Sequence, residues 1–114
     1  MPLRAAEVNL IFRAFADPTR MRILYLLLHR ELTVSEMVAI LRRPQPTVSR
    51  HLAYLRRARL IRARRQGTRT FYRLAPPRYA FQRRLFGCLR STLPHVPAAA
   101  MDLRRLEQLE RGRS

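Results

Sequence analysis

The chain has no tryptophan, no lysine, one cysteine, three glycines and seven acidic residues in 114 positions. Each scarcity excludes something. With a single thiol, Cys88, no intrachain disulfide can form, and a reducing compartment fits. Three glycines provide no loop to cradle phosphates. No Ser-His-Asp or Cys-His pattern stands out, and Asp17 and Glu36 fit helix starts, so catalysis is not expected. No apolar run approaches the roughly 20 residues that span a bilayer. Arg4 and Glu7 interrupt the N-terminus before a signal peptide could develop, so no membrane partner is expected and the cytoplasm is the expected location.

What the chain does have is positive charge. Its 24 basic residues, all arginine, leave a net charge of +17. A short chain this basic usually meets a polyanion, and arginine suits bidentate contacts to phosphate and guanine edges. A GC-rich genome would explain arginine over lysine but not the excess of charge. Apolar residues make up 47%, enough for one packed domain with one modest core.

Apolar spacing predicts a first helix over 4–16, with a stripe of Val8, Ile11, Phe12 and Phe15. Asp17-Pro18 caps and starts a second helix over 18–29, apolar on more than one face and therefore central. Thr33 and Glu36 have capping-box spacing and open a third helix that runs to about 41. A short turn, Arg42-Arg43-Pro44, leads into a fourth helix from about 45 to 58. Residues 60–74 change period and predict a β-hairpin around Gln66-Gly67-Thr68. Helices are predicted over 78–93, where Phe81, Leu85, Cys88 and Leu89 lie near one face, and over 98–111. The expected fold is mainly α with a small β-hairpin. It is a single winged helix-turn-helix domain over 1–114, dimeric through its N- and C-terminal helices, the latter spanning about 78–111.

On a helical wheel of the fourth helix, Val48, Leu52 and Leu55 share the inner face. Thr47, Arg50, His51 and Tyr54 share the outer one, with Gln45 and Ser49 at its N-terminal end. Arginine forks onto guanine, glutamine onto adenine, and serine or threonine onto either base. A solvated face is the bland alternative, but the preceding turn and the following basic hairpin favour contact with double-stranded DNA. The hairpin carries Arg62, Arg64, Arg65, Arg69 and Arg73; such a wing, with Arg65 and Arg69 as its candidate contacts, would position the protein on phosphates. The rival is a non-specific architectural or RNA-binding protein. Footprinting separates the two: a discrete protected inverted repeat favours a regulator, and uniform coating favours the rival. His29 is expected at a helix C-terminus, and His95 in an exposed loop between prolines.

Three ordered stretches resemble the ArsR/SmtB family over about residues 8–75. Residues 15–24, Phe-Ala-Asp-Pro-Thr-Arg-Met-Arg-Ile-Leu, resemble its opening signature. Residues 46–56, Pro-Thr-Val-Ser-Arg-His-Leu-Ala-Tyr-Leu-Arg, resemble its recognition helix. Residues 67–74, Gly-Thr-Arg-Thr-Phe-Tyr-Arg-Leu, resemble its wing. The resemblance implies a homodimeric prokaryotic repressor that an effector releases from its operator. It also implies dimerisation through the first helix and the helix after the wing, hence through Val8, Ile11, Phe12, Phe81, Leu85 and Leu89. The departures concern the effector. Where metal sensors of the family carry Cys-x-Cys, this chain has Thr33-Val34-Ser35, and between Arg78 and Leu93 it has no Asp, His or Glu. The usual family metal sites are therefore not present, no cofactor is expected, and the small effector is unidentified. Pro44 stands where a capping serine is usual, and Arg59 where a helix-ending glycine is usual. Cys88 is open to three readings: packing in the dimer helix, thiol chemistry with Arg84 and Arg90 nearby, or part of a metal site.

Overall fold

The computed structural model describes residues 2–112. The elements follow in the expected order: α1 Ala5–Phe15, α2 Pro18–Leu27, β1 Leu32–Thr33, α3 Val34–Leu41, α4 Gln45–Arg57, β2 Ile61–Gln66, β3 Arg69–Leu74, α5 Ala80–Thr92, a short 3₁₀ turn Leu93–His95, and α6 Pro97–Arg111. Local chemistry accounts for three of the helix ends. The Asp17 side chain accepts from the Arg20 N–H (2.9 Å), and Pro18 occupies the first turn of α2, where no N–H is needed. Thr33 Oγ1 accepts from the Glu36 N–H (3.2 Å) while Glu36 Oε1 accepts from the Thr33 N–H (2.8 Å), a reciprocal cap on α3. α4 starts without a side-chain cap because Pro44 occupies that position. It ends in a left-handed residue, Arg59 (φ 59°), with the Leu60 N–H reaching back to the Leu55 carbonyl (3.1 Å). A left-handed non-glycine residue costs about 1–2 kcal/mol.

The sheet holds one strand more than expected. β1 pairs antiparallel with β3 (Leu32 opposite Tyr72, Thr33 opposite Phe71), and β3 pairs with β2 from Ile61–Leu74 to Gln66–Arg69, giving the order β1-β3-β2. Two residues cannot show a period of two, so β1 becomes a strand only because β3 lies beside it. Gly67 takes a positive φ of 64° in the tight turn between β2 and β3.

α2 is central: Ile23, Leu24, Tyr25, Leu26 and Leu27 are all buried. Around it pack Met37, Ile40 and Leu41 of α3, Val48, Leu52 and Leu55 of α4, and Leu106 of α6. The helix over 97–111, expected to serve dimerisation, turns the face with Ala99, Asp102 and Leu106 onto α2 and α3 of its own chain. An ion pair joins it there. The Arg22 guanidinium donates to both carboxylate oxygens of Asp102 (2.7 and 2.8 Å) and to the Leu41 carbonyl (3.1 Å). Arg105 donates to the Ile40 carbonyl (2.9 Å) beside it. Hydrogen bonding to Asp102 holds the Arg22 pKa above its ordinary value.

Of the expected dimer stripe, Ile11 (1% exposed) and Leu89 (4% exposed) lie inside the chain's own core. Their neighbours are more open. Phe12 is 50% exposed, and its ring stacks on Phe81 (centroids 5.8 Å apart, planes 8° apart). Val8, Phe81 and Leu85 are half-buried. The inner face of α5 runs through Gln82, Phe86 and Leu89, so Phe81, Leu85 and Cys88 lie one position round the helix. Cys88 is exposed on this chain rather than packed in its core, with Sγ 3.8 Å from Thr92 Oγ1.

Candidate nucleic-acid interface

α4 follows α3 after only Arg42, Arg43 and Pro44, which is the tight turn of a helix-turn-helix. Val48, Leu52 and Leu55 anchor its inner side, as expected. On the outside Gln45 and Arg50 are exposed, Thr47 and Ser49 are half-buried, and Gln45 Nε2 donates to Ser49 Oγ (3.1 Å). That bond steadies the glutamine amide at the end of the helix where a recognition helix meets base edges.

Two expected contacts are placed otherwise. His51 and Tyr54 do not stand free on the outer face; both lean on the start of α2. Arg20 Nη1 lies 3.3 Å from His51 Nδ1, and His51 Nε2 lies 3.9 Å from Asp17 Oδ2. The Arg20 guanidinium sits 4.1 Å from the centroid of the Tyr54 ring. A guanidinium can only donate, so His51 Nδ1 is the acceptor and the ring is neutral, with its proton on Nε2. Burial pushes the His51 pKa below its ordinary 6.5; Asp17 pulls it up, while Arg20, Arg50 and Arg43 push it down. The unfolded chain takes up this proton first, so stability is intact above about pH 6.5 and declines as the pH falls toward the lowered folded value. Urea denaturation between pH 7.5 and 5 should show a loss in the parent chain that is smaller in His51→Gln; equal slopes would refute the assignment.

The wing divides its arginines between two faces. Cross-strand register puts Arg62 opposite Arg73, Arg64 opposite Phe71, and Gln66 opposite Arg69, all on one face, and Arg65 opposite Thr70 on the other. Arg65 and Arg69, nominated together, therefore point apart. Arg64 is spoken for: its Nη2 pairs with Glu31 (2.9 Å) and its guanidinium lies 4.9 Å from the Phe71 ring centroid. That hydrogen bond lowers the Glu31 pKa and raises that of Arg64. The Arg69 guanidinium also lies near the Phe71 ring (5.0 Å to its centroid), with Nη2 4.0 Å from Glu36 Oε2 at the start of α3. Arg65 Nε donates to the Gly67 carbonyl (3.2 Å) at the tip. Sequence reasoning missed Arg20, Glu31 and Phe71. Their partners lie 31 or more residues away in the case of Arg20–His51 and Glu31–Arg64, and no local spacing signals them.

At the start of α3 and on α5, the two places where the resemblance puts metal ligands, the donor atoms differ from those of a metal site. The Thr33 hydroxyl is committed to the α3 cap, Ser35 offers a second hydroxyl in place of a thiolate, and α5 supplies no His, Asp or Glu. Among the described residues no three His, Cys, Asp or Glu side chains are gathered as a metal would need, and no helix is long and apolar enough to cross a membrane.

A helix, a tight turn, a second helix with a polar outer end, and an arginine-bearing hairpin define a winged helix-turn-helix DNA-binding protein. Comparison with known proteins agrees. The family model described as "Bacterial regulatory protein, arsR family" matches residues 17–63. The chain is 52% identical over 64 residues to the HTH-type transcriptional regulator KmtR of Mycobacterium tuberculosis, a match covering 56% of this chain and 49% of that protein. It is 40% identical over 91 residues to a probable mercury resistance operon repressor of Streptomyces lividans, covering 80% and 70%. Among solved structures, HlyU from Vibrio cholerae superposes with a TM-score of 0.67 at 32% identity, over 81% of this chain and 100% of that one. The chain belongs to the ArsR family of DNA-binding transcriptional regulators.

Proposed function

We propose that the chain represses transcription as a homodimer on an inverted-repeat operator and that an effector releases it. Gln45, Thr47, Ser49 and Arg50 read base edges in the major groove, and the outward wing arginines hold phosphates. The observation that carries this reading is Arg50. It is exposed on a helix whose opposite side, Val48, Leu52 and Leu55, is locked in the core, so the guanidinium is aimed outward by a rigid support. Non-specific coating is disfavoured because short polar side chains at the end of α4 suit readout of bases, not of charge alone. The effector does not use the thiolate or α5 carboxylate–histidine sites of metal-sensing relatives, since the donor atoms are missing.

Arg50→Ala should cost about 1–3 kcal/mol on the operator and relax preference at one base position. Arg69→Ala should weaken operator and random DNA alike and reduce the slope of log K against log salt by about one. Fluorescence anisotropy across a salt series reads both. Identical effects of the two substitutions on specific and random DNA would overturn the assignment of roles, and footprinting that shows uniform coating would overturn the operator reading.

A further inference from the structure

We propose that Arg20 is a positioning residue for operator binding: it latches the recognition helix α4 to the end of α1 and sets the angle at which α4 is presented. The inference rests on α4 being the reading helix. Arg20 makes four directed contacts on two elements other than its own. Its Nε donates to the Ala14 carbonyl (3.0 Å) and its Nη2 to the Arg13 carbonyl (2.8 Å), in the last turn of α1; the Arg13 oxygen also accepts from the Ala16 N–H (3.2 Å). Its Nη1 donates to His51 Nδ1 (3.3 Å), and its face covers the Tyr54 ring (4.1 Å). His51 and Tyr54 are three residues apart on α4, so the latch grips one turn of that helix at two points.

The position of Arg20 is itself fixed. Its backbone N–H is the one that Asp17 caps, so the guanidinium starts from a rigid first turn of α2. Only arginine can do this. A planar fork can serve two carbonyls and an imidazole while stacking on a phenol; a lysine ammonium has the charge but neither the fork nor the stacking plane. The end of α1 that Arg20 holds follows directly on Phe12, the exposed ring of the dimer patch.

The test is the charge-conserving Arg20→Lys, measured for affinity to a mapped operator and to random DNA across a salt series. The latch predicts a ten- to hundredfold loss on the operator. Random-DNA affinity should stay within twofold, with an unchanged salt slope, because phosphate contacts and net charge are kept. Retained operator affinity would overturn the proposal and make Arg20 a simple cation. An equal loss on both DNAs would overturn it as well. Should Arg20→Lys fail to fold, His51→Ala removes the acceptor from the α4 side alone. A threefold or greater loss confined to the operator supports the latch, and affinity equal to the parent overturns it. Arg50→Ala runs in parallel. If it leaves operator affinity unchanged, the failure lies with α4 as the reading helix; if it loses affinity while Arg20→Lys does not, the failure lies with the latch.

Discussion

Phe12→Asp is expected to convert a dimer into a folded monomer and to lower operator affinity by about 10²–10⁴-fold, the gain that two linked sites have over one. Phe12 is half exposed and stacks on Phe81, with half-buried Leu85 and Val8 on the same two helices. An apolar patch of this kind on a highly charged chain marks an interface. A two-fold axis would set the patch against its own copy and bring two α4 helices to successive major grooves, about 34 Å apart. The substitution removes little from the monomer, because Phe12 contributes few core contacts. Sedimentation should show the parent as a dimer and Phe12→Asp as a monomer with unchanged helical circular dichroism. A parent chain that sediments as a monomer at micromolar concentration would end this account. Ile11→Asp, one residue earlier, should instead fail to fold, since Ile11 is 1% exposed within the chain's own core.

Asp102→Ala is expected to cost about 3–5 kcal/mol of stability, the cost of stranding a buried charge. Asp102 is fully buried, and its two oxygens carry the Arg22 guanidinium, with Arg105 3.7 Å away. Removal of the carboxylate leaves Arg22 with only the Leu41 carbonyl. The double substitution Arg22→Met with Asp102→Leu should recover most of the loss, because it removes both charges and keeps the volume. Urea denaturation at one fixed protein concentration measures both variants, which keeps the dimer equilibrium constant across them. A loss under about 1 kcal/mol for Asp102→Ala would mean that water reaches the pair and that α6 is held by its apolar residues alone.

These two outcomes mark where sequence reading reaches its range. Helix order, the caps at Asp17 and Thr33, the Gly67 turn and the arginine-rich wing all depend on residues within a few positions of one another. Period, cap and turn chemistry express such local relations directly, so they were legible without a structure. The family was legible for the same reason: its three motifs are contiguous stretches. Gln45, Ser49 and Arg50 were found by a helical wheel, because the inner face Val48–Leu52–Leu55 is itself periodic.

Other features depend on which side of a helix meets which neighbour. A stripe of Val8, Ile11, Phe12 and Phe15 is wide enough to face two ways, and spacing alone cannot divide it. Burial in the core takes Ile11 and Phe15, whose ring meets Phe86 of α5 edge-on (5.1 Å), and leaves Phe12 outside; the same division on α5 takes Leu89 and leaves Phe81 and Leu85. The outer face of α4 likewise loses His51 and Tyr54 to Arg20, which a wheel of α4 alone cannot contain. Arg22 and Asp102 stand 80 positions apart, and their pairing joins α6 to α2. The sequence by itself determined the six helices, the wing hairpin, their order and the class of ligand, because propensity, capping and net charge act locally or over the whole chain. Tertiary structure alone decided that Leu32 and Thr33 form a strand, which apolar residues are core and which stay exposed, and which polar residues brace α4, because burial and long-range hydrogen bonds exist only between elements.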